Sequence, residues 1–167
     1  TYAVYIPSPF DRRKRLILAG ADVSSRYRRR GHDEYVRIAS YIRIITEKKA
    51  GNYMIFFPSY QMMTEVREIY MTSFADIGDE PASSAGGEGG RNNSGTDGTG
   101  VSCVSQTPQM SEQEREEFLI KFAEQRSGTL LGFCVLGGIF SEGIDLTGEQ
   151  LIGAIIVGTG LPQIGTE

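Results

Sequence analysis

A chain of 167 residues has room for one well-cored domain and not comfortably for two. Its 17 Lys and Arg against 21 Asp and Glu give a formal net charge of -4 and a pI near 5.1, which argues against nucleic-acid binding through overall charge. No apolar run approaches the ~18 residues of a membrane span and no charged-then-apolar leader opens the chain, so a soluble, cytoplasmic protein with no membrane partner is expected.

The average charge conceals an asymmetry. Arg12-Arg13-Lys14-Arg15 and Arg26, Arg28, Arg29 and Arg30 crowd the start, whereas carboxylates dominate from Ser111 to Glu124, so a local basic face is compatible with the acidic total. Cys103 and Cys134 lie on separate apolar stretches without His neighbours or metal-ligand spacing. They read as core thiols, and no metal site is expected.

Tyr2 to Phe10 alternates apolar and polar residues and stops at Pro7-Ser8-Pro9, the pattern of a short strand entering an extended loop; Leu16-Ile17-Leu18 is a second short strand candidate. From His32 to Lys49, Tyr35, Ile38, Ala39, Ile42 and Ile45 recur at helical spacing, with Asp33 and Glu34 in the first turn and Gly51 just past the end. Asn52 to Phe57 is a compact apolar run between Gly and Pro, expected as a strand buried on both faces. Ser59 is placed to cap a helix with the stripe Met62, Met63, Val66, Ile69 and Tyr70.

Residues 78–100, GDEPASSAGGEGGRNNSGTDGTG, have almost nothing to bury and read as a disordered Gly/Ser-rich insertion within a domain spanning 1–167. Val101 to Gln106 reads as a strand. Ser111-Glu112-Gln113-Glu114 is a capping box opening a helix that buries Phe118, Leu119 and Phe122, with Gly128 as its expected stop. Leu130 to Leu136 and Leu151 to Val157 are two more strands, separated by the loop 137–149. Strands alternating with helices imply an α/β fold, a mostly parallel sheet with helices on both faces.

In such sheets ligands collect at the carboxyl ends of the strands, where loops meet helix N-termini. Two loops fit. In Phe57-Pro58-Ser59-Tyr60 a buried strand passes straight into a helix, and Ser59 is either a helix cap alone or a ligand contact as well. In Gly137-Gly138-Ile139-Phe140-Ser141-Glu142-Gly143-Ile144-Asp145-Leu146 the glycines permit close approach of backbone to phosphate and Asp145 can accept from ribose hydroxyls, although Gly-Gly followed by Ser-Glu-Gly also suits a plain tight turn.

The strings themselves favour the functional alternatives. GNYMIFFPSY resembles motif IV, and LGGIFSEGIDLTGEQLIGAIIVGTGLPQ resembles motif V with its following strand, of superfamily 2 DNA helicases of the XPD/DinG type. YIPSPF near the start and SEQEREEFLIKF before the second string occur in the family's order, so the resemblance covers nearly the whole chain apart from 78–100. It implies the C-terminal RecA-like motor domain of an ATP-dependent helicase, with 5′-to-3′ movement on single-stranded DNA, ATP and Mg²⁺ as fuel, and an N-terminal RecA-like domain of the same polypeptide as partner. By the resemblance Ser59 and Tyr60 lie near the DNA backbone. Gly138, Ser141 and Glu142 link the DNA track to the nucleotide cleft, while Gly143 and Asp145 face ATP, Glu142 and Asp145 being the expected catalytic pair. Arg26 and Arg29 are candidate DNA contacts.

The departures bound that reading. The sequence holds no G-x-x-x-x-G-K-[ST] to cradle a triphosphate, and it reaches Glu167 before the arginine-bearing motif VI that the family places downstream. The four cysteines of the iron-sulfur cluster found in many relatives are missing too, so any cluster would lie outside this chain. His32-Asp33-Glu34-Tyr35 looks superficially like an acidic box but opens an amphipathic helix, so the lone histidine receives no catalytic role. Gly86-Gly87-Glu88-Gly89-Gly90 lacks the strand, helix and lysine of a phosphate loop. The isolated chain is expected to be inactive. Rival readings are a non-catalytic RecA-like module that binds DNA or docks a protein, and a small-molecule enzyme, for which no nucleophile or acid-base pair stands out.

Overall fold

The computed structural model describes residues 3–4, 11–74, 95–96, 100–124 and 128–158. Helix α1 (His32–Glu47) leads into strand β1 (Asn52–Phe57) and helix α2 (Tyr60–Phe74). After the two-residue strand β2 (Gly95–Thr96) come β3 (Val101–Ser105), α3 (Glu112–Ala123), β4 (Thr129–Val135) and β5 (Gly153–Ile156).

The sheet order is β2-β3-β4-β1-β5. The last four strands run parallel and β2 pairs antiparallel with β3 at one edge. β1 and β4 are central, which is why both read as apolar runs without alternation: their odd and even residues enter different cores. Tyr53, Ile55 and Phe57 of β1 and Leu131, Phe133 and Val135 of β4 meet α1 and α2 through Ile38, Ile42, Met62 and Val66. On the other face Met54, Leu130 and Cys134 meet Phe118 and Phe122 of α3. Gly132 belongs to this second face, where a Cβ would come within 2.6 Å of the Phe122 ring, so glycine lets α3 lie close on the sheet. This is the expected α/β sheet covered on both faces, and its fold is RecA-like.

Local details follow the sequence in most places. The Ser111–Glu114 capping box is present, Phe118 and Phe122 are buried as expected, and both cysteines are free and buried. Helix α1 begins at His32, but Gly31 precedes it and gives no side-chain cap.

Two expectations are corrected. Leu16-Ile17-Leu18 forms no strand: the three residues stand 80%, 74% and 66% exposed, because no described strand offers them a hydrogen-bonded neighbour. Helix α3 ends at Ala123 rather than at Gly128. Gly128 instead lies against Gly100, whose carbonyl oxygen accepts the Thr129 N–H at 3.0 Å, so it serves the start of β4 and not a helix cap.

The expected strand within Tyr2 to Phe10 lies outside the described residues apart from 3–4, which have no regular structure. Of the insertion 78–100 only 95–96 and 100 are described, Gly95 and Thr96 facing Cys103 and Ser102.

Candidate functional site

The two loops singled out by sequence leave the carboxyl ends of the two central strands. The Leu136 N–H donates to the Phe57 carbonyl at 2.8 Å, continuing the β1–β4 pairing into the loops themselves. Connections from these strands depart to opposite sides, β1 feeding the chain toward β3 and β4 feeding it toward β5. In parallel α/β sheets this carboxyl edge is where ligands collect.

At the end of β1, Ser59 Oγ accepts the Met62 N–H at 3.3 Å, and its carbonyl accepts the Met63 N–H at 3.1 Å. The hydroxyl therefore caps α2, as the modest reading of the sequence held. Tyr60, next along, is half-buried, and its hydroxyl donates to the Thr107 carbonyl at 3.3 Å.

At the end of β4, Gly137 adopts φ +72°, a left-handed turn that suits glycine. The Val135 carbonyl then collects both the Gly138 N–H at 3.0 Å and the Ser141 hydroxyl at 3.2 Å, and the Ser141 N–H donates to the Gly138 carbonyl at 3.0 Å. Phe140 is fully buried with its ring stacked 4.1 Å from that of Phe118, while Ile144 and Leu146 pack partly against the same core. Between these anchors Ser141, Glu142, Gly143 and Asp145 are exposed. Gly143 has φ +70°, with nothing within 4 Å of an added Cβ. The loop is thus stapled by apolar residues and presents a carboxylate-bearing bow outward.

Gln106 joins the two loops and was not singled out in the sequence. It is 3% exposed, directly after β3. Its N–H continues the β3–β4 ladder to the Phe133 carbonyl at 2.8 Å, its Oε1 accepts the Val135 N–H at 3.1 Å, and its Nε2 donates to the Tyr60 hydroxyl at 2.8 Å. A Cβ on Gly138 would fall 2.5 Å from that Nε2. Tyr60 and Gly138 are therefore brought together through this one amide. The signal available in the sequence was position alone, a long polar side chain at the carboxyl end of a third strand.

The arginines separate into two kinds. Arg29 bonds Glu34 Oε2 at 3.2 Å, and Arg37 reaches the same oxygen at 3.4 Å. Glu34, only 4% exposed, also accepts the Ser24 N–H through Oε1. Arg29 thus helps hold the segment before α1 in place. Arg26 is exposed, and beside it Ser25 lies so close to Gly158 that a Cβ there would overlap it. Arg26 consequently follows a residue placed at the carboxyl end of β5, on the same sheet edge as Ser59 and Gly138.

Burial pushes the Cys134 thiol well above its ordinary range, which leaves it a packing residue and not a nucleophile. Among the described residues no group of His, Cys, Asp and Glu could hold a metal ion, and no helix is long and apolar enough to cross a membrane.

A parallel sheet covered on both faces, with a glycine-bearing loop beside a serine-capped helix at its carboxyl edge, defines a RecA-like α/β domain. The family model described as "Helicase C-terminal domain" matches residues 42–167, and the chain belongs to that family. It is a helicase C-terminal domain. Among solved structures it is similar to an XPD helicase, with a TM-score of 0.55 and 20% identity over 87% of this chain and 21% of that one. It is also similar to apo XPD, with a TM-score of 0.54 and 19% identity over 86% of this chain and 23% of the other. The chain thus spans about a fifth of the length of the structures it resembles. No curated protein is significantly similar to it in sequence.

Proposed function

We propose that this domain is the second motor domain of an ATP-dependent DNA helicase of the XPD/DinG type, pairing with an N-terminal RecA-like domain of the same polypeptide. The observation that carries the reading is the juxtaposition of the Ser59–Tyr60 turn and the exposed Ser141–Asp145 bow on neighbouring central strands, bound together from Leu136 to Phe57. One turn is set to touch the backbone of single-stranded DNA and the other to face nucleotide. A single domain can then sense both.

Nucleotide fits this edge from one side only. Asp145 offers an exposed carboxylate for ribose hydroxyls, and Gly143 leaves open space for close approach, but no lysine-bearing phosphate loop is present. Mg²⁺-ATP, held mainly by the companion domain, supplies the phosphoryl group whose transfer drives the cycle. The contribution of this chain is positioning: Asp145 and Gly143 bind and orient, Glu142 with Ser141 and Gly138 relays loop position toward the DNA side, and Ser59, Tyr60 and Arg26 hold the strand. Closing and opening of the two domains would step the protein 5′-to-3′ along DNA and separate a duplex ahead of it.

The test is DNA-stimulated ATP hydrolysis and strand separation by the full-length protein, set against the isolated chain. The reading expects both activities in the former and neither in the latter. A full-length protein that binds single-stranded DNA with no DNA-stimulated turnover would favour instead a RecA-like platform for DNA or protein.

A further inference from the structure

We infer that Gln106 is the positioning residue that couples the Ser59–Tyr60 turn to the Gly137–Leu146 loop, an inference that rests on the motor reading for its functional consequence. β3 ends at Ser105 while β4 runs on to Val135, so the last N–H of β4 has lost its neighbouring strand. The Gln106 side chain replaces that strand, accepting the Val135 N–H through Oε1. A backbone N–H can only donate, so the amide orientation is fixed: oxygen toward Val135, nitrogen toward Tyr60. The Tyr60 hydroxyl must in turn accept from Nε2, which leaves its own proton for the Thr107 carbonyl.

Each polar atom of this buried amide is thereby held, and the close pass of Gly138 bars it from moving toward the loop. A shift of the Val135–Gly138 corner cannot occur without moving the amide. Moving the amide breaks or drags its bond to Tyr60. Tyr60 stands at the first turn of α2, beside Ser59, so displacement in the nucleotide-facing loop reaches the DNA-facing turn through two hydrogen bonds. The reverse path is identical, as linkage requires. A merely structural glutamine would hold one strand end and have no effect across the two loops.

The decisive measurement uses the full-length protein carrying Tyr60→Phe, Gln106→Leu or both, and follows amide hydrogen exchange at Val135, Gly138 and Ser141. Removing the tyrosine hydroxyl should accelerate exchange at these positions by at least about threefold, the lower range for directly coupled neighbours. In the Gln106→Leu background the same removal should add nothing. Unchanged exchange in Tyr60→Phe, or an equal acceleration with and without Gln106, overturns the coupling; Tyr60→Phe alone decides it should the buried Gln106→Leu change prevent folding. The second readout is duplex separated per ATP hydrolysed, expected to fall about threefold or more in either single variant and no further in the double. A parent protein with no DNA-stimulated turnover would remove the motor reading, and the exchange rates would still decide the Gln106 linkage.

Discussion

The amide of Gln106 fills the space into which a side chain on residue 138 would have to project. A Cβ at Gly138 would lie 2.5 Å from Gln106 Nε2, 2.9 Å from its Oε1 and 2.9 Å from the Val135 carbonyl oxygen. The far end of a glutamine ordinarily swings aside, but this one is buried and bonded at both heteroatoms. Gly138→Ala is therefore expected to cost about 1–3 kcal/mol, the usual penalty for overpacking a filled site. Gly137→Ala, where nothing lies within 4 Å of the new Cβ, should cost only the ~1–2 kcal/mol of the left-handed backbone. Urea denaturation of both variants, with an amide-exchange map, separates the two mechanisms: only Gly138→Ala should loosen Tyr60. Wild-type stability in Gly138→Ala would mean that the amide is not held where it lies.

Most of the fold was legible because periodicity reports burial. β1 and β4 read as continuous apolar runs since both their faces are covered, and α2 and α3 announced themselves through Ser59 and the Ser111–Glu114 box. Leu16-Ile17-Leu18 misled for the complementary reason: three apolar residues signal strand propensity, yet a strand needs a neighbour, which sequence pattern does not supply. The two loops at the sheet edge were legible from strand order and glycines. Gln106 was not, because a buried polar residue has no periodic signature; its environment arises only when β3, β4 and α2 come together. Glu34 is the same case in the opposite sign of expectation, placed by sequence at a helix start yet buried beneath Arg29 and Arg37.

Arg26 and Arg29 were candidates of equal standing in the sequence and should now behave differently. Arg26 is exposed and follows Ser25, which packs against Gly158 just past β5, so Arg26→Ala should weaken binding of single-stranded DNA and lower the salt slope of affinity by about 0.7, one phosphate contact's worth. Arg29 is engaged by a nearly buried carboxylate, so Arg29→Ala should chiefly lower the stability of the segment before α1. Salt-dependent titrations of DNA binding beside thermal melts decide it. An unchanged melt together with a reduced salt slope for Arg29→Ala would return that residue to the DNA interface.

The cap of α3 predicts a pH dependence. Glu114 accepts the Ser111 N–H at 2.7 Å and the Ser111 hydroxyl at 2.9 Å, and these bonds, the backbone one first, hold its carboxyl below the ordinary glutamate value of 4.5. A carboxylate with a lowered folded value contributes stability that is fully present above the unfolded value and is lost as pH falls through the folded one. Glu114→Gln should flatten that acid-side decline in melting temperature. Ser111→Ala, which also removes the acceptor of the Glu114 N–H, should cost about 1 kcal/mol at neutral pH. Acid-side melting curves that superimpose for wild type and Glu114→Gln would remove this carboxylate from the balance.

Glu142 and Asp145 carry the sharpest consequence of the proposed function, and the full-length protein is the place to test them. Both are exposed on a loop whose stability rests on Phe140, Ile144 and Leu146, not on the carboxylates. Replacement by Ala should accordingly alter stability by no more than about 0.5 kcal/mol, as at ordinary surface positions. A solvated turn would show nothing else. The motor reading expects Asp145→Ala to lower DNA-stimulated ATP hydrolysis by ~10²-fold, the scale for losing one positioned polar contact in a closed site. Glu142→Ala should leave the binding of ATP and DNA largely intact while uncoupling hydrolysis from strand separation. That contrast follows chain order: Glu142 adjoins Ser141 and its bond to the end of β4, while Asp145 comes two residues after Gly143, further along the chain toward β5. Steady-state ATPase, equilibrium DNA binding and duplex unwinding, measured on variants with wild-type melting temperatures, separate these outcomes. Normal turnover and normal unwinding in both would leave the loop a solvated turn and withdraw its assignment to the motor.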